Sequence, residues 1–143
     1  MAEQTYATHR KTVLGYHVVL SLLLLATVIG ACINLLKSIG TSGLYSASLI
    51  LALTVVSMFL YVFCRTFALK AQDRAIRAEE QLRHYVLTGK LLDSRLSVKQ
   101  IVGLRFASDS EFVALARRAA DDSLSPEAIK KAVTSWRPDT YRA

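Results

Sequence analysis

Two uncharged runs constrain this chain more than any other feature. No Lys, Arg, Asp or Glu occurs from Val13 to Leu36, and none from Ser38 to Cys64. Each run reaches the ~20 apolar residues an α-helix needs to cross a bilayer core. Between them, Lys37-Ser38-Ile39-Gly40-Thr41-Ser42-Gly43 has the glycines and small polar residues of a tight turn. Hydrophobic residues make up 52% of the chain although 20% of residues are charged, so the two classes are segregated. The prediction is an all-α membrane protein built on a two-helix transmembrane hairpin.

Basic residues orient the hairpin. Arg10 and Lys11 precede the first span, Arg65, Lys70, Arg74 and Arg77 follow the second, and the loop has only Lys37. The positive-inside rule then places both termini in the cytoplasm. The segments expected are a cytoplasmic tail (1–12), a first span (13–36), a periplasmic loop (37–43), a second span (44–64), a helical stalk (65–88) and a cytoplasmic three-helix module (89–143). After Cys64 there are fifteen Lys/Arg against ten Asp/Glu. Basic residues interleaved with acids suit a surface beside anionic lipid headgroups at least as well as one that grips DNA, and nucleic acid is not an expected partner.

Cys32 and Cys64 fall near opposite ends of the spans, about a bilayer apart, and cannot pair within one chain. The run Ile29-Gly30-Ala31-Cys32 has the outline of a lipoprotein cleavage site. The apolar run before it is too long for a signal core, and Ile-Asn-Leu-Leu after Cys32 is no polar tether. An uncleaved first span is expected.

Within the spans, Ala26 with Gly30, Thr27 with Ala31 and Ser48 with Ala52 are small-xxx-small pairs that let helix backbones approach. They are expected to pack the two spans of one chain together. His17 stands without a second His, Cys or carboxylate in either span. It is read as a neutral interfacial residue bonded to a neighbouring carbonyl or water rather than a cofactor ligand. No acid lies within the membrane, which argues against proton-driven transport.

No Gly or Pro interrupts the chain from Leu44 to Thr88, so the second span is expected to run on as one helix until Gly89 stops it. Ala68, Ala71, Ala75, Ala78, Leu82 and Tyr85 recur at alternating steps of three and four, a heptad seam. Cys64 and Tyr61 continue it backwards. Asp73/Arg77 and Glu79/Arg83 are acid-before-base pairs at i,i+4 that would support the wet face. Phe67, Leu69 and Ile76 form a second stripe.

Three helix starts follow. Ser97-Val98-Lys99-Gln100 and Ser108-Asp109-Ser110-Glu111 match capping boxes, and Ser125-Pro126 places a cap before a proline at the first helical position. Ile101, then Phe112 and Leu115 with Ala116 and Ala119, then Ile129 with Ala132, Val133 and Trp136, are the expected module core, the last four on one helical face. Ala119, Leu124, Ser125, Ile129 and Ala132 partly match a helix-turn-helix with Lys130 and Lys131 on the second helix. Arg118 and Asp122 fall where that motif wants small or apolar residues.

No phosphate loop, HExxH pair or catalytic constellation is present in the sequence, and no catalytic, cofactor-binding or metal-binding residue is assigned. The segments ALKAQDRAIRAEEQLRHYVLTGKLLDSRLSVKQIVGLRFASDSEF and LARRAADDSLSPEAIKKAVTSWRPDTYRA, with the two spans before them, resemble an uncharacterised family of small two-span bacterial inner-membrane proteins. The resemblance implies a bacterial inner-membrane location and an intact first span. It carries no functional residues.

The expected function is that of a non-enzymatic structural or interaction subunit. Its expected partners are membrane lipids and membrane proteins, other copies of itself included. The rivals are a homo-oligomeric channel lined by Ser21, Thr27, Ser48, Thr54 and Ser57, and a membrane-tethered DNA-binding regulator.

Overall fold

The structure, a computed structural model, describes residues 5–6 and 12–139. Arg10 and Lys11, which enter the topology argument, lie outside the described residues. Every regular element among those described is helical. A π-helical turn, Gly15–Leu20, leads into α1 (Ser21–Ser38), and α2 (Leu44–Thr88), α3 (Val98–Leu104), α4 (Asp109–Asp121) and α5 (Pro126–Ala132) follow. Among the described residues, 12–67 form one compact unit, and 5–6 with 68–139 form a second. Gly15–Ser38 and Leu44–Thr88 are both long and apolar enough to cross a membrane.

In the first unit α1 keeps Lys37 and Ser38 and ends where Ile39 turns extended. Gly40 then takes φ +78, a conformation that costs glycine little because it has no Cβ. Thr41 Oγ1 donates to the Ser38 carbonyl (2.8 Å) and accepts from Gly43 N–H (3.2 Å), which closes the turn before α2. Among the described residues of this unit, Ala31, Ala47 and Thr54 are buried.

Of the small residues expected to pack, Ala31 of the Thr27/Ala31 pair is buried, and the other pairs lie off the packed stripe. Ala26, Gly30, Ser48 and Ala52 are all exposed. The small residues that lie inside are Ala31 and Ala47, 3% and 1% exposed. Half-buried Leu24, Val28 and Leu35 share the α1 stripe of Ala31, and half-buried Leu51, Ser57 and Tyr61 continue that of Ala47. Each residue advances the helix by about 100°, so a shift of one position turns a small pair off the packed stripe. The small-xxx-small spacing identified the type of contact but not its face.

In the second unit α2 ends at Thr88. Gly89 adopts φ +71 and donates its N–H to the Tyr85 carbonyl at 2.7 Å, a left-handed C-terminal stop. Ser97 caps α3 with a complete box, its side chain accepting from Gln100 N–H and Gln100 Oε1 accepting from Ser97 N–H at 2.8 Å. Ser125 Oγ accepts from Ala128 N–H at 3.1 Å ahead of the Pro126 start of α5. Leu92, Leu96, Ile101, Leu104, Phe106, Phe112, Leu115 and Ile129 form one buried cluster with the α4 alanines and Val133. Trp136 packs against it, its ring 4.8 Å from that of Phe106.

Two local expectations do not hold. The box at Ser108 is not made, for Ser108 makes no side-chain capping bond and its hydroxyl lies 2.9 Å from that of Ser110. Glu111 instead reaches across to accept from Thr134 Oγ1 (2.6 Å), Thr134 N–H (3.1 Å) and Ser135 N–H (3.1 Å). The same contacts explain the second correction. α5 ends at Ala132, so Val133 and Trp136 do not continue its helical face. Val133 turns extended, and residues 134–137 pair with 106–108 through Ser108 N–H to Ser135 O (3.1 Å) and Arg137 N–H to Phe106 O (2.7 Å). A carboxylate and a carbonyl from outside the helix capture N–H groups that a longer α5 would have needed.

Burial pushes the Glu111 carboxyl up, but the Thr134 hydroxyl and the Thr134, Ser135 and Ser108 N–H groups outweigh it. Its pKa therefore falls below the usual glutamate value of 4.5. A depressed carboxylate lends stability that is present above its unfolded pKa and is lost as pH falls through the folded one. Acidification below pH ~4.5 is therefore expected to loosen the 133–137 segment, with a red shift in the emission of the single tryptophan, Trp136. Glu111→Gln removes this pH dependence, and a variant that keeps the full acid transition would disprove the assignment.

Candidate functional site

The 68–88 part of α2 has two chemically distinct faces. On one, Ile76 (6% exposed) and Glu80 (4%) are buried, and Asp73, Arg83 and His84 are half-buried. Arg83 organises this face. Its guanidinium donates to Glu80 Oε2 at 3.0 Å, to Asp109 Oδ1 at 2.7 Å and to the Ala107 carbonyl at 2.7 Å, and its Cζ lies 4.3 Å from the Phe112 ring centre. The His84 ring meets Phe112 edge-on at 6.0 Å. Burial raises the Glu80 carboxyl above the usual range, against the hydrogen bond and charge of Arg83.

The other face is bare. Ala68, Ala71, Ala75, Ala78, Leu82 and Tyr85 are all exposed, and Leu82 (64%), Tyr85 (54%) and Val86 (74%) leave large apolar groups uncovered. The heptad seam is thus legible in the sequence, and the face that anchors α3–α5 is a different one. Neither i,i+4 pair forms an ion pair among the described residues, because Arg83 turns to Glu80 and Asp109 rather than to Glu79. Arg74 and Glu79, which flank the bare seam, are both exposed. Gln72 and Gln81 also flank it, and their Oε1 atoms are shielded from solvent without a hydrogen-bond partner in the chain.

The expected module-core residues come together. Ile101, Phe112, Leu115, Ile129 and Val133 are buried in the one cluster, with Trp136 half-buried against it. Missing from the sequence reading was Arg83 as a centre of three acceptors. Its only signal was a basic residue in register with Ile76 and Glu80 on the face opposite the seam.

The first unit carries a second polar cluster that sequence reasoning passed over. The Tyr16 and Tyr61 rings stack at 4.5 Å, the Tyr16 hydroxyl donates to the Tyr61 carbonyl, and Ser21 Oγ lies 2.7 Å from the Tyr61 hydroxyl. Arg65 Cζ stands 6.0 Å from the Tyr16 ring centre. The π-helical turn sets Tyr16 and His17 beside these groups, and His17 Nδ1 sits 3.1 Å from the Val13 backbone nitrogen. One hint was available, a tyrosine at the same end of both apolar runs. A groove of ≈ 330 Å³ also opens between α1 and α2, lined by Leu20, Leu23, Leu24, Ile50, Leu53, Thr27, Thr54 and Ser57. The hydroxyls of Thr27, Thr54 and Ser57 donate to carbonyls of their own helices.

Cys32 and Cys64 are free and exposed. Among the described residues no three His, Cys, Asp or Glu side chains gather as a metal site. No curated protein and no solved structure matches the chain. A family model does, over residues 1–143, and the chain belongs to that family, a family of unknown function (DUF6526).

Proposed function

We propose that this chain is a non-enzymatic integral membrane protein that works as a structural subunit of a bacterial inner-membrane assembly. In this reading the two apolar helices anchor it with both termini in the cytoplasm. The 68–88 helix is a stalk, and α3–α5 form a small module fixed to one side of that stalk. The observation that carries the reading is the bare face from Ala68 to Tyr85, which runs along a helix whose other face is already occupied by Arg83 and its acceptors. A helix face with leucine, tyrosine and valine left uncovered is a surface for another helix.

The channel reading has less support. Thr27, Ser48, Thr54 and Ser57 spend their hydroxyl protons on carbonyls of their own helices. The DNA-binding reading also has less. A recognition helix reads bases from its N-terminal residues, which in α5 are Pro126 and Glu127, and Ile129 is fully buried.

The test is extraction from native membranes in mild detergent, followed by native mass measurement. The expected result is a defined assembly, either of several copies or with other subunits. A stable monomer that retains no protein would refute the proposal.

A further inference from the structure

We infer that the bare face of α2 takes a second copy of this chain, in a parallel and in-register two-stranded coiled coil. The inference rests on the subunit reading above and names its partner. With Ala68, Ala75 and Leu82 at a and Ala71, Ala78 and Tyr85 at d, the flanking positions are fixed. Arg74 and Gln81 fall at g, and Gln72, Glu79 and Val86 at e. In a parallel pair each g residue faces the following e residue across the seam. Arg74 then meets the partner's Glu79, and by symmetry the pair occurs twice.

An antiparallel pair sets g against g and e against e, and no opposite charges meet in it. The charge pattern therefore selects the parallel arrangement, which is also the one that two chains inserted in the same sense would present. Arg74 and Glu79 are exposed and in no ion pair among the described residues, so both are free to make the contact. The residues that carry the module, Ile76, Glu80, Arg83 and His84, fall at b, c and f, on the side away from the seam. Alanines at a and d bring the two backbones close, and Leu82 and Tyr85 supply the large contacts near the end.

The test uses the full chain in membrane vesicles, with Cys32→Ala and Cys64→Ala as background and single cysteines introduced by Ala75→Cys, Ala78→Cys or Arg77→Cys. Core positions of a parallel pair bring their own counterparts within disulfide reach, and the exposed c position does not. With an added oxidant, Ala75→Cys and Ala78→Cys are expected to give disulfide dimers in roughly fivefold excess over Arg77→Cys. Arg74→Glu or Glu79→Arg alone is expected to lower dimer yield roughly tenfold, and the double reversal to restore it. Equal yields at all three cysteines, or no rescue by the double reversal, overturns the inference. If no dimer forms while other subunits still co-purify, the second copy is the wrong partner and the subunit reading stands. If nothing co-purifies either, both fall.

Discussion

Replacing Arg83 with alanine is expected to destabilise the second unit by about 3 kcal/mol, because it strips the partner from a buried carboxylate. The Arg83 and Glu80 side chains are only 10% and 6% exposed. Without the guanidinium, Glu80 must stay charged in a poorly solvated place or take up a proton, and the Ala107 carbonyl loses its 2.7 Å donor. The pH dependence identifies the cause. Burial already holds the Glu80 carboxyl above its ordinary range, so its folded form is favoured in acid and its contribution is lost as pH rises through the raised folded pKa. Arg83→Ala raises that pKa further, so the variant loses stability more steeply than the native chain between acid and neutral pH. Adding Glu80→Gln should recover part of the loss. Arg83→Lys should recover little, since a point charge cannot serve three acceptors set for a planar fork. Urea unfolding followed by Trp136 emission measures the effect without interference from the rest of the chain, because this is the only tryptophan and it packs on Phe106. A midpoint unchanged from the native chain would disprove the role given to Arg83.

What the sequence made legible, and what it did not, follows from the range of the interactions. The uncharged runs, the stop at Gly89 and the caps at Ser97 and Ser125 are local, each decided by residues within a turn or two, and the structure has them. The capping box at Ser108 matched the pattern equally well, yet Glu111 bonds to Thr134 and Ser135, residues over twenty positions away that no local pattern contains. Val133 and Trp136 keep helical spacing from Ile129 although α5 stops at Ala132, because burial was satisfied by an extended segment that happens to place the same side chains inward. In the two apolar helices, Ala26 and Gly30 fitted the small-residue motif as well as Ala31 did. Choosing between adjacent faces depends on the neighbouring helix, and the motif does not include it. The heptad seam is the opposite case. It is legible in the sequence, and the structure leaves it uncovered.

Phe112→Ala is expected to cost more than any other single truncation in the module, about 4 kcal/mol. The ring is 0% exposed and belongs to the buried cluster that α3–α5 share, so removing it leaves a cavity in a core of short helices with little capacity to collapse around it. It also forms the floor beneath two groups of α2, with Arg83 Cζ 4.3 Å from its centre and the His84 ring edge-on at 6.0 Å. Phe112→Leu, which keeps most of the volume and loses the ring face, separates these contributions and should cost clearly less. The two large predictions are therefore coupled. Once Phe112 is gone, Arg83 has lost its stacking surface and holds its acceptors less firmly, so Arg83→Ala in that background should cost about 1 kcal/mol less than in the native chain. Urea midpoints of the four members of this cycle decide the matter. Strict additivity would mean that the guanidinium and the ring act independently.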